Sequence, residues 1–251
     1  MSCDPDVPAI RILGVRIDNL NQSQAIQRLV DLAASGRPHQ VVAGKPEFVM
    51  AAQRDAAFRA VLEAADLALP DGVGLIWAAR VLGTPLRGRA TGVDTMLGLA
   101  PEAAREGLSF FLLGAAPGVA ERAAVVLQTR APSLRIAGTY AGSPAPEEEE
   151  EIVERVRQAA PSFLFVAYGA PRQDLWIARN LPRLRVPVAM GVGGALDYIS
   201  GHVRRAPALW CRLGLEWLYR LLRQPWRWRR MLALPQFALA ICSTRLRGER
   251  C

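Results

Sequence analysis

The chain has 251 residues, a hydrophobic fraction of 51% and a formal net charge of +8. This length suffices to bury one sizeable core, and the composition excludes a disordered or fibrous protein. The four cysteines are scattered without metal-ligand spacing or a disulfide framework, and the two histidines cannot build a usual zinc site. We therefore predict one main globular domain without a bound metal.

Short apolar runs alternate with helical patterns along the chain. The opening segment Ile10–Ile17 predicts a small edge strand or a hairpin. Buried strands are then predicted at Gln40–Ala43, Asp66–Leu69, Leu108–Leu113, Leu134–Gly138, Ser162–Tyr168 and Pro187–Val192. Helices are predicted near residues 22–34, 47–64, 72–82, 93–106, 117–130, 147–159 and 171–180. The alternation predicts an α/β fold with a doubly wound, mostly parallel sheet.

Polar and glycine-bearing turns follow the ends of the predicted strands. Asp71 follows the second buried strand, where an aspartate that caps the next helix is the alternative interpretation. Gly114 begins a turn that could hold phosphate on free backbone N–H groups. Two further turns are Gly169–Gln173 and Gly193–Asp197, and Arg89 lies in another polar loop. Because the carboxyl ends of parallel strands meet at one edge of a sheet, these turns predict a ligand pocket.

The last fifth of the chain differs from the rest in charge. Residues 204–251 hold eleven arginines and two glutamates, a net charge of +9, so the preceding residues are close to neutral. Leu213, Trp217 and Leu221 share one helical stripe and arginines share another, which is typical of a helix lying in an anionic membrane surface. We predict a core at residues 1–203 and a basic, amphipathic, membrane-associating appendage at 204–251. A C-terminal helix docked on the core is the alternative.

No stretch predicts a signal peptide or a transmembrane helix. Met1–Ala9 contains two aspartates and no long apolar run. Met231–Ile241 is apolar, but it has about half the length needed to span a bilayer and Pro235 interrupts it. We therefore expect a cytoplasmic protein that lies on the membrane without crossing it.

A series of motifs along the chain resembles a known family. They are Pro70–Gly74, Arg89 with Gly92–Asp94, Leu113-Gly114 with Pro117–Ala123, Gly169–Asp174, Gly191–Asp197, and Arg205–Pro207 with Gly214–Leu221. Their order resembles the WecG/TagA/CpsF glycosyltransferases (glycosyltransferase family 26), from about Ile10 to Arg230. The resemblance implies a Rossmann-like catalytic core. It also implies inverting, metal-independent transfer from a UDP-sugar to a polyprenyl-diphosphate-linked saccharide of exopolysaccharide, teichoic acid or common antigen.

The same resemblance implies roles for individual residues. Asp71 would be the general base, Arg89 would stabilise the departing diphosphate, and Gln173 would orient the sugar or the acceptor. The implied donor-binding residues are Ala43, Lys45, Gly114, Gly169 and Asp197, and those for the acceptor and membrane are Arg220, Arg227 and Arg230. The implied partners are the UDP-sugar, the lipid-linked acceptor and the anionic cytoplasmic face of the membrane. No cofactor or nucleic acid is expected, and a homo-oligomer is left open.

One departure from the family pattern concerns the first buried strand. Many family members have Thr-x-Asn at its end, where this chain has Ala43-Gly44-Lys45. Lys45 could pair with the β-phosphate of the donor or with a uronic acid carboxylate, or it could point to solvent. This change favours a donor other than the N-acetylmannosamine nucleotide, such as UDP-glucose or UDP-glucuronate.

Two alternatives come from other functional classes. A nucleotide-dependent oxidoreductase would suit the doubly wound pattern, but the chain lacks a GxGxxG turn with its downstream acidic partner. A non-catalytic module that binds a membrane or nucleic acid would suit the basic C-terminal residues. That alternative leaves Asp71, Arg89 and Gln173 without a role.

Overall fold

An antiparallel hairpin precedes the main sheet. The computed structural model describes residues 8–204, 206–207, 210, 216–223, 225 and 228–247, without the side chains of residues 216, 220, 229 and 230. Strands β1 (Ala9–Ile12) and β2 (Val15–Asp18) pair as a two-stranded sheet, so the predicted opening hairpin is confirmed. The Asp18 carboxylate accepts a hydrogen bond from the backbone N–H of Ala68 at 2.7 Å and ties the hairpin to the core.

The main sheet has six strands. They are β3 (His39–Gly44), β4 (Leu67–Pro70), β5 (Ser109–Gly114), β6 (Arg135–Tyr140), β7 (Phe163–Ala167) and β8 (Val188–Gly191). Their order across the sheet is β4-β3-β8-β7-β5-β6, and every neighbouring pair is parallel. The predicted strands and their parallel arrangement are therefore confirmed.

Helices cover both faces of this sheet. They are α1 (Gln22–Ala34), α2 (Pro46–Ala52), α3 (Ala56–Ala64), α4 (Val73–Val81), α5 (Gly92–Arg105), α6 (Val119–Arg130), α7 (Pro146–Ala159), α8 (Arg172–Leu184) and α9 (Ala195–Ile199). Val41 packs with α1, α5, α6 and α9 on one face, whereas Val42 packs with the hairpin and α2–α4 on the other. Helices α7 and α8 cover the rest of that second face. This is the doubly wound, Rossmann-like arrangement that was predicted.

One predicted helix is two helices in the structure. Residues 47–64 divide into α2 and α3, because the Asp55 side chain accepts a hydrogen bond from the N–H of Phe58 at 3.0 Å and caps a new helix. Helix α9 also lies outside the predicted helices. It is a single short turn of helix after β8, too short to give a periodic pattern.

The C-terminal segment contributes to the core. It contains α10 (Glu216–Arg223), α11 (Trp228–Met231) and α12 (Ala233–Leu246). Helix α12 contacts α2 and α4, and its Phe237 and Ile241 are 2% and 0% exposed. Among the residues that the structure describes, no helix combines the length and the apolar character needed to cross a bilayer.

Candidate active site

The turns at the carboxyl ends of β3, β4, β7 and β8 surround a cavity of about 380 Å³. Among the residues that line it are the predicted site residues Ala43, Lys45, Asp71, Arg89, Gly169, Gln173 and Asp197. These residues are far apart in sequence and meet because the parallel strands all end at the same edge. The predicted pocket therefore lies where the strand pattern places it.

Asp71 is held between two helices at the end of β4. Its backbone N–H extends the β3–β4 ladder by donating to the carbonyl of Gly44 at 2.9 Å. Its carboxylate oxygen Oδ2 accepts a hydrogen bond from the N–H of Gly92, the first residue of α5, at 3.2 Å. The N-terminal end of α5 favours a negative charge at this position. Asp71 does not cap α4, whose N-cap is Gly72, so the capping alternative is wrong.

Lys45 faces Asp71 across the end of the sheet. Its Nζ lies 3.2 Å from Oδ2 of Asp71, and the side chain is 33% exposed. Lys45 occupies the N-cap position of α2 without making a side-chain cap. The alternative in which Lys45 points to solvent is therefore wrong. Ala43, two residues earlier, is buried and lines the same cavity.

Gln173 joins two of the turns that form the cavity. Its Oε1 accepts hydrogen bonds from the backbone N–H groups of Gly169 at 3.1 Å and Gly193 at 2.9 Å. Its side chain is buried against Gly191, where an added Cβ would lie 2.6 Å from Nε2. The arrangement shows that Gln173 fixes the turns after β7 and β8 relative to each other. Its predicted role in orienting sugar or acceptor remains a prediction.

Asp174 follows Gln173 in α8 and is buried beside the site without lining the cavity, and the sequence analysis did not predict a role for it. The side chain is fully buried, and neither carboxylate oxygen has a hydrogen-bond partner among the described residues. Burial raises the pKa of the Asp174 carboxyl to about 7, while the Gln173 side chain and the charge of Lys45 act in the opposite direction. Asp174 and the buried Ile177 are three residues apart and share one face of α8. This spacing in the sequence indicates that Asp174 is buried as well.

Gly114 does not line the cavity. It adopts a φ of +93°, and a Cβ there would approach the ring of Tyr168 to 2.9 Å. A glycine is therefore required so that the chain can pass close to this ring. Tyr168 itself does line the cavity. The phosphate-holding role predicted for the Gly114 turn remains a prediction, without support from the cavity lining.

The C-terminal helices supply one wall of the cavity. Trp217 from α10, Met231 from α11 and Leu234 from α12 line it. Of the three predicted acceptor-binding arginines, Arg227 lies outside the described residues. Arg220 and Arg230 lie in α10 and α11, and their side chains are outside the described part of the structure. Within that part, no group of three or more His, Cys, Asp or Glu side chains is arranged to hold a metal ion.

Comparison with known proteins assigns the family. The profile of the glycosyl transferase WecG/TagA/CpsF family matches residues 10–251. The chain belongs to this family. A Bacillus spizizenii protein named N-acetylglucosaminyldiphosphoundecaprenol N-acetyl-beta-D-mannosaminyltransferase is 35% identical over 201 residues, covering 80% of this chain and 77% of that protein.

Two further relatives carry the same name. The Bacillus subtilis protein is 34% identical over 196 residues, which cover 78% of this chain and 76% of its own length. The Staphylococcus aureus MW2 protein is 31% identical over 238 residues, which cover 94% and 93%. As a WecG/TagA/CpsF glycosyl transferase, the protein is a hexosyltransferase, and the oxidoreductase and non-catalytic alternatives are wrong.

Proposed function

We propose that the protein moves a sugar from a UDP-sugar to a polyprenyl-diphosphate-linked saccharide in cell-surface polysaccharide synthesis. The observation that carries this proposal is a carboxylate, Asp71, at a strand end in a cavity that Lys45 and Arg89 also line. The relatives' names, which specify N-acetylglucosaminyldiphosphoundecaprenol, support the class of acceptor.

In the proposed reaction, Asp71 is the general base. Its carboxylate takes the proton of an acceptor hydroxyl as that oxygen attacks the anomeric carbon of the donor. The bond from this carbon to the diphosphate breaks, and its electron pair leaves with UDP. A single displacement of this kind inverts the configuration of the anomeric carbon.

The negative charge that develops on UDP needs stabilisation inside the cavity. Arg89 and Lys45 are the cations of the proposed site, and a guanidinium group suits the oxygens of a diphosphate. Preorganised charges of this kind stabilise a transition state without a bound metal. We therefore propose a metal-independent reaction.

The acceptor is proposed to arrive from a membrane surface. Exposed apolar side chains in the C-terminal segment are Trp217, Leu222, Trp228, Leu232, Leu239 and Leu246. Residues 204–251 also carry the excess arginines of the chain. Apolar and basic side chains on one segment suit peripheral binding to the anionic cytoplasmic face, where arginines would meet the lipid diphosphate.

The proposal also concerns the identity of the donor sugar. The relatives' names make UDP-N-acetylmannosamine the first donor to test. Ala43 and Lys45, however, offer a methyl group and an ammonium at the cavity wall in place of neutral hydrogen-bonding groups. We propose that UDP-glucose or UDP-glucuronate is preferred for this reason.

The test is an assay of the purified full chain with a panel of UDP-sugars and undecaprenyl-diphosphate-linked acceptors, with and without EDTA. We expect transfer from a preferred donor with inverted anomeric configuration, at a rate that EDTA leaves unchanged. Retention of configuration, strict dependence on added Mg²⁺ or Mn²⁺, or no transfer from any UDP-sugar would contradict the proposal. Efficient use of UDP-N-acetylmannosamine would contradict only the donor preference.

A further inference from the structure

Lys45 is the only lysine of the chain, and it lies in the cavity. Its ammonium group is 3.2 Å from Oδ2 of Asp71, and the two side chains are 33% and 12% exposed. An ion pair that is partly shielded from water is stronger than one on an open surface. All the other basic residues apart from the two histidines are arginines. Position 45 therefore has the one lysine of the chain, and this lysine contacts Asp71.

Both contacts of the Asp71 carboxylate are made by the same oxygen. Oδ2 accepts from Gly92 N–H at 3.2 Å and faces the Lys45 ammonium at 3.2 Å. A quarter turn of the carboxylate about its Cβ–Cγ bond would break both contacts together, whereas a half turn only exchanges two equivalent oxygens. The hydrogen bond and the ion pair that the described residues make with the Asp71 carboxylate are both on Oδ2, so none of these residues donates to Oδ1. This asymmetry leaves one oxygen fixed and the other able to accept a proton.

We propose that Lys45 is a positioning residue that holds Asp71 by Oδ2 so that Oδ1 faces the acceptor hydroxyl. The inference rests on the proposed function. When Asp71 takes the acceptor proton, its carboxylate becomes neutral and the negative charge moves to the departing UDP. The Lys45 ammonium then loses its partner on Asp71, and its partly exposed side chain can pair with the diphosphate oxygens in the same cavity.

The pairing can be tested without any turnover. Reductive methylation with ¹³C-formaldehyde keeps an amine positively charged and labels only Lys45 and the α-amino group. We expect the Lys45 signal in the NMR spectrum to move in Asp71→Asn, while the α-amino signal stays in place. The matched control Asp31→Asn changes an exposed carboxylate on α1 and should leave both signals in place. A Lys45 signal at the same chemical shift in Asp71→Asn and in the wild type would overturn the proposed contact.

The positioning role is tested by kinetics of the unlabelled full chain. Lys45→Met removes the charge and keeps a similar side-chain length, and we expect kcat to fall about 10²-fold. The affinity for UDP should change less than kcat, and Lys45→Arg should restore most of the lost rate. An unchanged kcat in Lys45→Met would overturn the role. Weaker UDP binding with normal kcat would overturn it too, since Lys45 would then only bind the donor.

The two experiments separate this inference from the proposed function. If the wild-type chain transfers no sugar but the Lys45 signal moves in Asp71→Asn, the contact between Lys45 and Asp71 is supported and the proposed function is wrong. If transfer requires Asp71 but Lys45→Met turns over normally, the proposed function stands and the positioning role fails. A circular dichroism melt of each variant checks that the fold persists.

Discussion

At the scale of single residues, Asp174 is a carboxyl that folding removes from water next to the proposed catalytic groups. Its ordinary pKa of 3.8 rises to about 7, chiefly through burial. The folded protein therefore binds this proton more tightly than the unfolded chain does. The resulting contribution to stability is complete below about pH 4 and is lost as the pH rises through about 7.

Asp174→Asn tests this pH dependence. The amide is neutral at every pH, so the variant should lose less stability than the wild type between about pH 4 and about pH 7. The difference in the free energy of unfolding should reach at most about 4 kcal/mol. Urea unfolding at several pH values measures it, with Asp31→Asn as the control. Parallel stability curves for wild type and Asp174→Asn would show that burial does not raise this pKa.

The residue contacts of the site differ in how far the sequence could predict them. The sequence predicts that Asp71, Gln173 and Asp197 lie at the sheet edge, because each follows an apolar run that predicts a strand. The contact of Lys45 with Asp71 could not, because it depends on β3 lying beside β4 and on the rotamers of two side chains. The spacing of the glycines likewise did not indicate that Gly114 packs against Tyr168 instead of lining the cavity.

At the scale of elements, the packing of α12 on the core is the feature that its sequence predicts least well. Its sequence is apolar on several sides, so no narrow stripe marks the face that meets the core. Phe237 and Ile241 nevertheless bury almost completely against α2 and α4. The break between α2 and α3 was similarly hidden, since it depends on a single cap at Asp55. Local caps and tertiary packing decide both features.

Phe237→Ala measures how firmly α12 is attached. Removing a buried phenyl ring should lower the free energy of unfolding by about 3–5 kcal/mol. Leu239→Ala is the matched control on the same helix, because Leu239 is 70% exposed and its loss should cost within about 0.5 kcal/mol. Equal thermal unfolding midpoints for the two variants would mean that α12 does not pack on the core in solution.

At the scale of the whole molecule, charge and exposed apolar surface coincide at the C-terminal end. The charge asymmetry was visible in the sequence, as was the strand–helix alternation. The strand order was not, because apolar runs identify strands without giving their neighbours. Deleting residues 204–251 would also remove the buried part of α12, so binding to membranes is better tested on the intact fold.

We expect the full chain to bind vesicles that contain anionic lipid and to leave them as the salt concentration rises. Each arginine near such a surface contributes about 1 kcal/mol, and salt screens this attraction. Leu239→Ser should weaken binding without unfolding the protein, because Leu239 is exposed. Flotation with anionic and with neutral vesicles measures both effects. Binding that is indifferent to salt and to anionic lipid would contradict the membrane role.

Asp71 is the proposed base of the sugar transfer, and the turnover rate of Asp71→Asn measures this role. The amide oxygen can still accept the Gly92 hydrogen bond, so the fold and UDP binding should persist. Losing a general base should lower kcat by about 10²–10⁴-fold, whereas Asp31→Asn should turn over normally. Isothermal titration with UDP shows that the site is intact. Near-normal transfer by Asp71→Asn would show that Asp71 is not the base and that another group takes the proton.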